Sequence, residues 1–163
     1  MTRVSLLIAA TLGATLSIGA LDAATPLLSH SENESDLMAR IEREQDAVKK
    51  AKYQMRLGEL KLEQATEAYD GSDLEQGQKL LDGGLKWMSA AWATLKNSGR
   101  DASRHSGGFK ELDIALRESG RRLEDLKHRV SFMDRDPLEH ATHEIDALHN
   151  QVLTALFPGA KSP

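Results

Sequence analysis

Three histidines fall within ten residues near the end of the chain: His140, His143 and His149. Neutral imidazole is a common ligand for zinc, copper, iron and nickel, and residues three apart sit one turn apart on a helix. His140, His143 and His149, with Glu139 or Glu144 nearby, are therefore the candidate metal site. Two ligands from a single helix give open, weak coordination, so the competing reading is a solvated polar face. The spacings Asp125/His128 and Asp146/His149 are reminiscent of the carboxylate–histidine pairs of di-metal bundles. Heptad register turns Asp125, His128 and Asp146 away from their helix seams, which argues against that site.

Arg100, Arg104 and His105 lie together in NSGRDASRHSGG, either as an anion site or as a solvated linker. Nucleophilic catalysis finds no support. No serine sits in Gly-x-Ser-x-Gly, and neither Ser103, Ser106 nor His105 has a paired acid at a suggestive spacing. The chain has no cysteine, which excludes disulfides, thiolate metal sites and a catalytic thiol. The reading is of a non-enzymatic protein with no cofactor. An acidic net charge of −4 gives no electrostatic case for nucleic acid.

A different surface stands out as a partner site. Tyr53, Leu57 and Leu60 form an apolar stripe opposite the main seam of the first long helix. Such a stripe either packs on a second element of the same chain or meets a partner helix.

The elements that would position these groups are helical throughout. SDLEQGQKLLDGGLKWMSAAWATLKN, residues 72–97, is apolar over well beyond half a helical surface and holds both tryptophans. With Leu74, Gly77, Leu81, Gly84, Met88, Ala91 and Leu95 on one seam, it is the expected central helix. Before it, Leu37, Ile41, Val48, Ala51, Met55, Gly58, Leu62, Ala65 and Tyr69 recur at threes and fours, interrupted only by Glu44. That pattern predicts one long, coiled-coil-like helix from a cap near Ser31, Glu34 or Ser35 to about Tyr69, long enough that its N-terminal part should overhang, bend or find a partner. Gly71 is the expected left-handed cap, and Ser72 with Glu75 the expected capping box. After the loop, a heptad runs from Phe109 to Met133. Asp136, Pro137 and Glu139 then open a final helix on Leu138, Ala141, Ile145, Leu148, Val152 and Ala155.

The beginning of the chain reads differently. MTR followed by VSLLIAATLGATLSIGA has the form of a secretory signal peptide over residues 1–24, with cleavage near residues 19–24. Residues 25–34 read as a flexible lead-in, 35–158 as the helical domain and 159–163 as a tail. After cleavage no segment is expected to span a membrane.

KAKYQMRLGELKLEQATEAYDGSDLEQGQKLL, GFKELDIALRESGRRLEDLKHRV and the closing ALFPGAK together resemble a group of uncharacterised bacterial secreted helical proteins, a likeness spanning most of residues 47–160. It implies an exported helical protein and carries no activity or functional residues. The expectation is an all-α four-helix bundle of two antiparallel helical hairpins, exported to the periplasm or beyond. Its expected role is to bind a protein partner or itself; the alternative is weak metal or small-ligand binding through the last helix.

Overall fold

Amphipathic periods of three and four residues produce helices only, and their polar interruptions decide where each one stops. The computed structural model describes residues 33–159, which hold five α-helices and no strand. The expected signal peptide, most of the lead-in and the end of the tail lie outside the described residues. The helices are α1 (Glu34–Arg43), α2 (Ala47–Asp70), α3 (Leu74–Asn97), α4 (Phe109–Arg129) and α5 (Asp136–Leu156).

The expected single long first helix is in fact two, α1 and α2. Glu44 is extended, at φ −74° and ψ 127°, and the side chains around it satisfy the backbone groups that the break releases. Glu44 Oε1 accepts from Asp46 N–H at 2.9 Å, and Asp46 Oδ1 caps α2 by accepting from Lys49 N–H at 2.8 Å. Two acidic side chains thus stabilise a chain reversal where a charged residue already interrupted the seam. Asn33, rather than Ser31, Glu34 or Ser35, caps α1 through Asp36 N–H.

Freed by the break, α1 folds back antiparallel along α2. Glu34 pairs with Lys61 near one end of α1, and the Arg40 guanidinium stands 5.6 Å from the centre of the Tyr53 ring near the other. Leu37 and Ile41 bury themselves against Leu57, with Tyr53, Leu60 and Trp87 around them.

The contact between α2 and α3 is the most intimate of the structure. A Cβ at Gly84 would lie 2.7 Å from Leu62 Cδ2 and 3.2 Å from the Gly58 carbonyl oxygen, so only glycine admits this approach. Tyr69 lies over Gly77 in the same way: a Cβ there would be 2.8 Å from the ring. The α2–α3 turn departs from the expected capping. Gly71 has φ −80°, and it is Ser72 that takes the left-handed conformation, at φ 63°. Asp73, not Ser72, caps α3 by accepting from Gln76 N–H at 3.1 Å.

α4 and α5 also run antiparallel, with Gly120 against Ile145 and Asp113 against His149. Lys52–Glu111, Asp70–Arg129 and Trp92–Gln151 all link residues 59 apart, so α4 runs parallel to α2 and α5 parallel to α3. One continuous core joins α2, α3, α4 and α5, with Phe109, Leu112, Leu116, Leu123, Leu126 and Leu138 among its buried side chains. The expected heptad of α4 ends early. Val130 is extended, and a short 3-10 turn at Phe132–Asp134 leaves Phe132 and Met133 exposed instead of seamed. Arg135 Nε donates to the Val130 carbonyl at 3.2 Å and holds that turn. Asp136 is the first residue of α5 rather than its cap, and Pro137 lies in the first turn.

Adjacent glycines should therefore respond in opposite ways. A Cβ at Gly83 meets only the flexible Lys61 stem, at 3.7 Å. Gly83→Ala is expected to stabilise by up to about 1 kcal/mol through helix propensity. Gly84→Val should destabilise by about 1–3 kcal/mol through overpacking. Thermal unfolding followed by circular dichroism checks both.

Candidate functional site

Each residue singled out for chemistry has a definite place. His140 and His143 are exposed on α5, and His140 Nδ1 lies 3.7 Å from Glu144 Oε1 on the same helix. His149 points elsewhere. Its Nε2 lies 2.8 Å from Asp113 Oδ1, and Asp113 also accepts from Arg117 at 2.9 Å. Heptad geometry explains the divergence: His149 flanks the seam facing α4, whereas His140 and His143 lie on the solvent side. The expected His140, His143 and His149 metal set is therefore not brought together. Among the described residues no group of three or more histidines, aspartates and glutamates is placed to hold an ion. Asp125, His128 and Asp146 are exposed on outer faces, as their register implies.

The loop before α4 does gather its basic residues. Arg100, Arg104 and His105 line a surface hollow of about 410 Å³ together with Gly99 and Asp101. An anion there would compete with a carboxylate already in place. Asp101 Oδ1 accepts from Ser103 Oγ at 2.6 Å and from Ser103 N–H at 2.9 Å, and Arg104 Nε lies 3.5 Å from its other oxygen. These Ser103 bonds hold the Asp101 carboxyl below its ordinary range, with Arg104 assisting. The loop thus satisfies its one acidic side chain from within.

The stripe of Tyr53, Leu57 and Leu60 is not an open partner surface as the chain is folded. Leu57 is fully buried, and Tyr53 and Leu60 are half-buried, because α1 lies over them. The helix surface therefore has an occupant, and that occupant is an amphipathic helix of the same chain.

Three further titratable groups are perturbed. Burial pushes the Glu59 carboxyl up, the Glu118 carboxylate adds to the effect, and Arg56 and Arg122 oppose it. The Tyr69 hydroxyl is buried without a hydrogen-bond partner among the described residues, and burial raises it, with Asp82 and Asp134 adding to the shift. At Glu111 burial acts upward, but the bond from Lys52 and backbone N–H groups outweighs it and holds the carboxyl below its ordinary value. Burial, neighbouring charges and hydrogen bonds account for all three shifts.

Sequence reasoning missed one feature, a groove of about 470 Å³ between α3 and α5 lined by Trp92, Lys96, Asn150, Gln151, Thr154 and Ala155. Trp92 and Lys96 are one turn apart in the sequence, which was a visible signal. Their meeting with Asn150 and Gln151 depends on how α3 sits against α5.

Glu59 generates a pH test. Its raised value means that the folded chain holds this proton more tightly than the unfolded chain, whose ordinary value is 4.5. Its stabilising contribution is thus present below that value and is lost as pH rises through the raised one. Glu59→Gln should gain stability relative to the parent between about pH 4 and pH 7. A difference in melting temperature that stays constant across that range would contradict the assignment.

Comparison with protein-family models, with curated proteins and with solved structures finds no match to this chain.

Proposed function

We propose that the chain is an exported, non-enzymatic protein that binds a protein partner, or a second copy of itself, through the helix surface centred on Tyr53, Leu57 and Leu60. On this reading α2 to α5 form a four-helix bundle of two antiparallel hairpins, and α1 is a movable cover on its side. Export is inferred from the signal-like start of the sequence and from the resemblance of residues 47–160 to secreted helical proteins.

One observation carries the proposal. Leu37 and Ile41 of α1 join Leu57 in a small apolar cluster that is separate from the main core. α1 buries only those two residues, is ten residues long and is joined to α2 by an extended link. An isolated helix of that length is marginal in water, so α1 depends on its dock. A partner helix with apolar residues at i and i+4, and an acid to meet Lys61, would satisfy the same surface.

The test changes the cover and leaves the bundle alone. Leu37→Ser with Ile41→Ser weakens α1 docking and should raise association, read by native mass spectrometry of chain isolated from its host, by roughly tenfold. The chain has no cysteine, so Glu34→Cys and Lys61→Cys joined by a short bismaleimide would clamp α1 down. The clamped chain should stay free of partners. Association that neither change alters would refute the helix-surface reading.

A further inference from the structure

We propose that the groove between α3 and α5 binds a small ring-bearing anion, an aromatic carboxylate, held against the Trp92 indole with the Lys96 ammonium as its counter-charge. This site is independent of the surface covered by α1.

The groove is open to solvent along its length, and its volume of about 470 Å³ is in the range of small-molecule clefts, room for a one- or two-ring molecule laid against the wall. Its walls are mostly apolar and include Trp92 and Ala155. The indole is fixed in place. Trp92 Nε1–H donates to Gln151 Oε1 at 3.1 Å, and the Phe109 ring meets it edge-on at 6.2 Å and 78°. A preset aromatic wall favours a planar ring, since little ordering remains to be done on binding.

The polar groups along the same groove select the sign of the charge. None of the lining residues is acidic. The Lys96 ammonium has no ion-pair partner among the described residues, whereas Lys52, Lys61 and Lys127 each face a glutamate. Gln151 Oε1 accepts from Trp92, and neither the Gln151 NH₂ nor the Asn150 side-chain amide makes a hydrogen bond among the described residues. A cation and two amide donors beside an indole, in a chain of net charge −4, form a local site for a carboxylate attached to a ring.

The probes are 2-naphthoate and its uncharged match, 2-naphthamide, titrated into the full chain labelled with nitrogen-15. The two indole N–H signals belong to Trp87 and Trp92, and Trp87→Phe identifies each. 2-Naphthoate should shift the Trp92 signal saturably, together with the Asn150 and Gln151 side-chain amides. 2-Naphthamide should bind about fivefold more weakly. Lys96→Gln, an exposed change that leaves the core intact, should bring naphthoate down to the amide's affinity without altering amide binding. Equal binding of acid and amide, an unchanged naphthoate affinity in Lys96→Gln, or the lack of a saturable shift at Trp92 would each overturn the proposal.

Discussion

Gly58 and Gly84 let two long helices touch backbone to backbone, and the positions of the other three helices follow from that contact. With no side chain between them, α2 and α3 close to a separation at which Leu62 and Met88 fill the remaining space. The pair then presents two surfaces. One, carrying Met55, Leu81, Leu95 and their neighbours, joins the core completed by α4 and α5. The other, carrying Leu57 with Tyr53, Leu60 and Trp87, is left for α1. A buried polar link, Thr94 Oγ1 donating to Gln54 Oε1 at 2.8 Å, helps fix the register of α2 on α3, because slippage would leave Gln54 unsatisfied.

The two surfaces differ in how firmly they are held. α4 and α5 bury whole seams of leucine and phenylalanine, and their polar crossings to α2 and α3 repeat at one sequence spacing. α1 contributes two buried side chains, an ion pair at Lys61 and the Arg40 guanidinium over the Tyr53 ring. Local opening free energies follow the amount of apolar surface an element buries, so α1 belongs to the low-stability end of the molecule. On the proposed function, opening of α1 without disturbing the core is what makes the covered surface available to another helix.

Much of this was legible in the residues. The seams of α3 and α5 were legible over their middles, because long, strongly periodic segments leave little choice of face; at the ends Leu74 is exposed and Leu156, not Ala155, is the buried residue. The packing role of Gly77 and Gly84 was also visible, since glycines seven apart on an apolar seam need a close neighbour. The break at Glu44 was not read, although the seam failed there and Asp46 could cap a new helix. Apolar periodicity continued across the gap, and the reversal depends on the side-chain bonds of Glu44 and Asp46 together with the docking of Leu37 and Ile41 on Leu57. The three histidines were legible as residues but not as a set, for a geometric reason. His140, His143 and His149 are near in sequence but diverge around the helix, and the Asp113 that meets His149 lies 36 residues away. The groove beside Trp92 escaped because it belongs to two helices at once.

Native-state hydrogen exchange of the whole chain bears most directly on the division between a fixed core and a movable cover. Amides of α1 should exchange by local opening, at least about a hundredfold faster than the central amides of α2 and α3, while the latter exchange only through global unfolding. If α1 amides are instead protected to the same free energy as those of α2 and α3, α1 is part of the core. The surface at Tyr53, Leu57 and Leu60 is then closed to any partner.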